Sequence, residues 1–329
     1  MSINNDQLWV LGVDGGGTKT QAAVVDARGR VRGEGLAGPS SFDKTNLKLA
    51  AANIRDAIDG ACAATGIKRK QLNAAFFGMA GVTSEQDRAH VRGIAVKLGL
   101  PAERVGVDHD LRAALAGGLS GRPGIVLIAG TGSSCYGVNA AGVSWKSGGH
   151  GTLISDEGSS YWIGLRAIRA AVMIQDGRLP GASPALLVEP VMRQLGISSI
   201  DDIMHRLHVQ GIAPVDVAAF APLLIAAAQQ GDAYSLNVLR EGMQLLAECV
   251  AAVARKLGMA DDACELALVG GVFKNGDLVI EPLRQAVRAA VPGCSVKLAE
   301  MPPVHGACIV ALQNLGIAVD EGVIRQMRG

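Results

Sequence analysis

The segment VLGVDGGGTKTQAAVVD, residues 10–26, sets an acid, three glycines, a threonine and a lysine between two apolar runs. Glycine has no side chain to pack and loses more freedom on folding than any other residue. Gly15, Gly16 and Gly17 are therefore expected where bare backbone is needed. Consecutive amides with no Cβ in the way form a concave, positive site for an anion. Thr18 adds a hydroxyl donor and Lys19 a charge. Asp14 stands just before the glycines, where a carboxylate beside a phosphate makes sense with a cation between them. Mg²⁺ binds through one or two carboxylates, waters and phosphate oxygens, so Asp14 is the expected metal residue. The plain alternative is a tight hairpin with Asp14 as turn former.

Other phosphate loops fit less well. A P-loop needs GxxxxGK[ST] ahead of a helix; Gly12 and Gly17 have that spacing, but Thr18 occupies the lysine position. A dinucleotide turn needs GxGxxG entering a helix, whereas a strand follows here. A second turn, AGTGSSC at 129–135, offers Gly130, Thr131, Gly132 and Ser133 in the same strand–turn–strand setting. Two such hairpins facing each other would hold the two sides of a triphosphate. A third stretch, LVGGVFKNG at 268–276, ends a strand in Gly270 and Gly271, where close backbone approach suits an adenosine face.

These turns need strands and helices to position them. Residues 8–13, 20–26 and 31–36 read as an antiparallel meander. Leu47, Ala50, Ile54, Ile58 and Ala61 repeat every three or four positions, which predicts an amphipathic helix over 46–64. NAAFFGMAGVTS at 73–84 reads as strand, turn and helix start, with Ser84 as cap. RVGVDHDLRAALAGGL at 104–119 reads as strand, acids and helix, and 124–139 repeats the layout of 8–26. That repetition predicts an internal duplication: a domain over 1–119 and a second over 120–329, the latter mostly helical with a strand at 265–269. The apolar run VAAFAPLLIAAA at 217–228 reads as one buried helix, too short to span a bilayer.

Bulk properties narrow the function. The 329 residues suggest two domains. With 49% hydrophobic residues a sizeable core is available, and with 3% aromatics its packing must rely on small residues. Lys and Arg number 31 against 30 Asp and Glu, which argues against general binding to nucleic acid or anionic membrane. The six cysteines show no CxxC spacing, and the N-terminus lacks a basic and then apolar leader. The expectation is reduced thiols in a cytoplasmic protein.

The motifs GVDGGGTKT, FGMAGVT, VDHD, IAGTGSSC, GGHGTLISDEGSSYWIG and VGGVFKNG occur in that order. With them the chain resembles the N-acetylglucosamine kinase and BadF/BadG/BcrA/BcrD ATPase group of the actin/Hsp70/hexokinase superfamily. The resemblance implies an α/β fold of two ribonuclease-H-like (actin-like ATPase) domains flanking a central cleft. It implies ATP with its phosphates between the two hairpins, sugar at the base of the cleft, and a homodimer. It places the catalytic base at Asp110. The residues agree: Asp110 follows an apolar strand and opens a helix, at the strand edge where α/β folds bind ligands. A helix N-terminus favours a charged carboxylate, and a weak base suffices for a loose phosphoryl-transfer transition state. Asp108 is the fallback, and helix capping is the plain alternative for Asp110.

The same resemblance gives sugar recognition to Asp156, Gly149, Ser134, Cys135 and His150, because a buried hydroxyl-rich ligand needs fixed partners. Two positions depart from the N-acetylglucosamine kinases. His150 and Thr152 replace a Trp and a His, and Phe42 takes the place of a sugar-binding Asn, for which Ser41, Asp43 or Asn46 could substitute. These departures leave the phosphate chemistry intact and open the choice of sugar. The expectation is ATP- and Mg²⁺-dependent phosphorylation of N-acetylglucosamine at its 6-hydroxyl. The alternatives are glucosamine as substrate or a BadF-type ATPase that activates a reductase. A sugar-responsive repressor would need a helix-turn-helix extension, for which about eight residues ahead of the first strand leave no room.

Overall fold

A computed structural model describes residues 8–41, 47–180 and 182–329. The chain opens with the expected meander: β1 (Trp9–Gly15), β2 (Thr20–Asp26) and β3 (Val31–Ala37). Then follow α1 (Leu47–Thr65), β4 (Ala74–Met79), α2 (Glu85–Lys97), β5 (Val105–His109) and α3 (Asp110–Gly118). These strands form one five-stranded sheet in the order β3-β2-β1-β4-β5, antiparallel on the meander side and parallel across β1, β4 and β5. Local chemistry starts and stops the elements. Ser84 accepts from the Asp87 amide at 3.1 Å and Asp87 accepts from the Ser84 amide at 2.9 Å, a reciprocal cap that opens α2.

Strand alternation divides this sheet's two faces. Leu11, Val13, Ala22, Val24 and Phe77 pack with Ile54, Ala57, Ile58 and Ala61 of α1. Val10, Ala23, Val25 and Phe76 face the other way.

The chain continues with β6 (Gly124–Ala129), β7 (Ser133–Val138), β8 (Ser144–Gly148), α4 (Ser160–Gln175), α5 (Pro184–Leu195), α6 (Pro214–Ala218), α7 (Ala221–Gln229), α8 (Ala233–Lys256), β9 (Cys264–Val269), α9 (Asp277–Ala290) and β10 (Cys294–Leu298). The second five-stranded sheet has the order β10-β9-β6-β7-β8. Read from its other edge it is β8-β7-β6-β9-β10, the order of the first sheet with each strand replaced by its successor in the repeat. The duplication read from two glycine turns therefore extends to whole sheets.

Two readings change. The run at 217–228 is not one helix: α6 ends at Ala218 and α7 starts at Ala221, with Pro222 in its first turn, where a missing amide costs nothing. The division of the chain also differs from a single cut after residue 119. Contacts group Met1–Val126 with Leu298–Gly329, and Leu127–Lys297 as the other unit. The returning segment carries α10 (Pro303–Asn314) and α11 (Glu321–Arg328). Val304, Ala307, Cys308 and Ile309 of α10, with Ile324 and Met327 of α11, complete the face formed by Val10, Ala23, Val25 and Phe76. Gly12 makes this possible: a Cβ there would stand 2.5 Å from the Val304 carbonyl oxygen and 2.6 Å from the Cys308 amide.

Candidate active site

In the first unit the β1–β2 hairpin turns through Gly16–Lys19, closed by the Gly16 amide donating to the Lys19 carbonyl at 3.0 Å. None of Gly15, Gly16 and Gly17 has a left-handed backbone, so chain reversal is not why glycine is there. Gly15 is a packing glycine: a Cβ would meet Met79 Cε at 2.4 Å and Ser40 Oγ at 2.6 Å. Gly17 is the opposite, with nothing within 4 Å of its Cβ position. Gly17, Thr18 and Lys19 are exposed. The turn thus offers bare amides, a hydroxyl and an ammonium to an outside ligand. It is braced from behind: the Ser40 and Ser41 amides both donate to the Gly16 carbonyl at 3.0 Å, and Ala80 donates to Gly15 at 2.8 Å. Thr20 Oγ1 donates to the Gly38 carbonyl and accepts from the Ser40 hydroxyl, each at 2.7 Å. Ser41 is therefore held at the turn by its main chain. Phe42, Asp43 and Asn46 lie outside the described residues.

Sheet register carries the acids to one edge. Asp14 pairs with Gly78, and Gly78 with Asp108. Gly78 lets α3 settle: a Cβ would lie 2.7 Å from Ala113 Cβ and 3.6 Å from Asp110 Cα. Asp110, the first residue of α3, thus comes near Asp14. Burial pushes the Asp14 carboxyl up to about 7; the Asp110 charge adds to this and Lys19 opposes it.

Asp108 and Asp110 do not aim alike, contrary to what strand alternation alone suggests, because α3 begins between them. The Asp108 carboxylate accepts from Arg88 at 2.9 Å, from Arg112 at 3.3 Å and from the His109 amide at 2.9 Å. Burial raises its pKa, yet His109 and Arg88 outweigh burial and leave it below the ordinary value. Asp108 is thus an anchor of α2 and α3, which favours Asp110 as the reactive acid. Arg112, four residues on, was readable as an ion-pair partner. Arg88, twenty positions away, carried no sequence signal.

In the second unit the β6–β7 turn runs through Gly130, Thr131 and Gly132, closed by the Gly130 amide on the Gly132 carbonyl at 2.9 Å. Its carbonyls receive the start of α4: Ser160 donates to Gly130 at 2.8 Å and Tyr161 to Thr131 at 3.1 Å. Asp156 supports it from behind. The Ser133 amide donates to Asp156 Oδ1 at 3.0 Å, and a Cβ on Gly132 would lie 2.9 Å from Asp156 Oδ2. Asp156 is 7% exposed and adopts φ +69°, a conformation side chains rarely take. Its carboxylate is engaged with the turn rather than turned outward. Gly270, at φ +118°, abuts this hairpin; its Cβ position lies 2.2 Å from the Ala129 carbonyl oxygen, while Gly271 faces open space.

Of the expected sugar residues, Ser134 and Gly149 come together. Ser134 pairs with Gly148, and a Cβ on Gly149, at φ +68°, would stand 2.5 Å from Ser134 Oγ. His150 is exposed beside them. Cys135 is a correction: the next residue along β7 points to the other face, and it is 0% exposed with its thiol pushed well up by burial. It is a core residue and not a surface for a ligand.

The model of the BadF/BadG/BcrA/BcrD ATPase family matches residues 11–311. An N-acetylmuramic acid/N-acetylglucosamine kinase from Clostridium acetobutylicum is 30% identical over 92% of this chain and 98% of its own. A glucosamine kinase from Vibrio cholerae is 28% identical over 71% of this chain and 76% of its own. A solved structure from Chromobacterium violaceum, described as a candidate N-acetylglucosamine kinase, superposes with a TM-score of 0.73 at 25% identity, covering 93% of this chain and 99% of that one.

Proposed function

The chain belongs to the BadF/BadG/BcrA/BcrD ATPase family, and on that footing we propose that it moves the γ-phosphoryl group of ATP to an amino sugar, N-acetylglucosamine at its 6-hydroxyl. The carrying observation is the pair Asp14 and Asp110 at one sheet edge beside an exposed glycine turn. Phosphoryl transfer asks little covalent chemistry of a protein; it asks for positioning and for charge compensation. Gly17, Thr18 and Lys19 offer donors to phosphate oxygens, as do Thr131 and Gly132, while the Gly16, Gly130 and Ser133 amides close and brace the two turns. Gly270 and Gly271 provide a side-chain-free surface for the adenosine. Asp110 receives the proton of the attacking hydroxyl and orients that oxygen. Ser41, Ser134, Gly149 and His150 contact the sugar, and Asp156 holds the second turn to the same loop.

The acid pair also fits a divalent cation. Two crowded carboxylates, one of them driven up to about 7, are a setting that a cation relieves. Asp14 would hold Mg²⁺ with Asp110 adjacent; when bound, it neutralises charge on the phosphates. The same reading makes the protein a cytoplasmic homodimer, checked by light scattering against twice the 33.8 kDa of one chain.

The test is ATP consumption with N-acetylglucosamine, glucosamine, N-acetylmannosamine, glucose and water alone. Fast turnover with N-acetylglucosamine supports the proposal. Preference for glucosamine would move the substrate to the free amine. Hydrolysis indifferent to sugar would replace the kinase with the reductase-activating ATPase.

A further inference from the structure

We propose that Cys264 and Cys294 form a modification site: a dithiol that a peroxide oxidises to a disulfide, clipping β10 to β9. Cys264 opens β9 and Cys294 opens β10, neighbours in the second sheet. The Cys264 amide donates to the Gly293 carbonyl and the Ser295 hydroxyl to the Cys264 carbonyl, each at 3.3 Å. Cys264 thus sits between residues 293 and 295, level with Cys294. Neighbouring strands run about 4.8 Å apart, within the roughly 4.4–6.8 Å between Cα atoms that a disulfide spans. The two thiols are already hydrogen-bonded to each other. Cys264 is buried and Cys294 half-buried, so a small oxidant reaches the pair from the Cys294 side.

The pair differs in chemistry from the other cysteines. The thiolate, not the thiol, attacks an oxidant. The hydrogen bond from the Cys294 thiol outweighs burial and the Asp262 charge, and holds Cys264 below the ordinary thiol value. Cys62, Cys135, Cys249 and Cys308 are all pushed up, chiefly by burial. In the first step the Cys264 thiolate attacks one peroxide oxygen, the O–O bond breaks, hydroxide leaves, and Cys264 becomes a sulfenic acid. The Cys294 sulfur then displaces hydroxide from that sulfur; its proton makes water and the S–S bond forms. In sum two thiols give up two electrons and two protons, and one hydrogen peroxide becomes two waters. A dithiol reductant runs the exchange back. The clip has a weak element to hold. β10 is an edge strand with no fully buried residue, and it leads at Leu298 into the segment that returns to the first unit. Such a strand opens locally at little cost. The disulfide closes residues 264–294, with Gly270, Gly271 and all of α9, into a ring, which restricts the unfolded chain more than the native one.

The test treats the full-length protein with hydrogen peroxide and counts its thiols in denaturant. Two of the six are expected to disappear, with peptide mapping joining Cys264 to Cys294 and dithiothreitol restoring both. The oxidised protein is expected to melt about 3–6 °C above the reduced one. Cys294→Ser removes the thiol that resolves the sulfenic acid. In this variant dimedone is expected to label Cys264, and peroxide to give no rise in melting temperature. The absence of a Cys264–Cys294 link in the wild-type protein, or a link through another cysteine instead, overturns the proposal. A Cys264–Cys294 disulfide that leaves the melting temperature unmoved or lowers it overturns the clip. Neither cysteine belongs to the site described above, so each outcome is independent of the kinase reading.

Discussion

Asp110, the first residue of α3, lies close enough to Asp14 at the end of β1 for its charge to help hold the Asp14 carboxyl near 7. Each acid is marked by its own stretch of sequence, but no spacing there joins them. Register through Gly78 makes them a pair. In the proposed reaction the two work differently, Asp14 beside the phosphates and Asp110 against the attacking hydroxyl.

Asp110→Asn is expected to lower kcat by at least about a hundredfold, the usual scale for losing a positioned base. ATP affinity should change little, measured by calorimetry. Retained transfer would remove Asp110 from the role of base.

Asp108→Asn should behave in the opposite way. Its contacts with Arg88 and Arg112 are structural, so the melting temperature falls while kcat stays within a few-fold. Because the folded pKa is depressed, the contribution of Asp108 is present above the unfolded value and disappears as pH falls through the folded one. The stability gap between wild type and variant should therefore close in acid.

Asp14 gives the reverse pH signature. Its folded pKa is raised from 3.8 to about 7. Between those values the unfolded chain has released the proton and the native one keeps it, so stability falls as pH rises. At about 1.4 kcal/mol per unit the loss is at most about 4 kcal/mol, trimmed by water at the half-buried side chain. Thermal melts of metal-free protein should decline across this window relative to Asp14→Asn. Mg²⁺ should raise the melting temperature more at about pH 8 than at about pH 6, because the carboxylate must be deprotonated to bind it. An equal Mg²⁺ effect at both would separate the ion from Asp14.

Glycine substitutions split by surroundings. Gly17→Ala meets nothing within 4 Å, so stability should stay within about 0.5 kcal/mol while KM for ATP rises. Gly12→Ala drives a methyl to 2.5 Å from the Val304 carbonyl and 2.6 Å from the Cys308 amide. It should cost about 3 kcal/mol or more, read as a lower denaturant midpoint.

What the sequence disclosed follows from where chemistry is local. The two hairpin turns, the α1 stripe and the Ser84 cap each depend on neighbours in the chain, and all were readable. β8 (SWKSG) escaped notice because none of its residues is fully buried and no apolar run marks it. Arg88 on Asp108, Asp156 behind Ser133 and α10 against β1 join residues far apart in sequence, and no spacing announces them. Cys135 departs from its expected place beside the sugar for a simpler reason: its neighbour Ser134 faces the other way on β7, and alternation sends the thiol into the core.

The return of residues 298–329 to the first unit orders events during synthesis. When the ribosome has made β1 to α3, the face bearing Val10, Ala23, Val25 and Phe76 has only Ala113 and Ala116 of α3 against it, because Val304, Cys308 and Ile309 have yet to be translated. The contiguous second unit can mature while the first waits with sticky surface exposed. A nascent chain stalled before α10 should therefore need a chaperone or fall to a protease at its N-terminal end, and release of the last helices should be the moment at which the whole molecule becomes resistant.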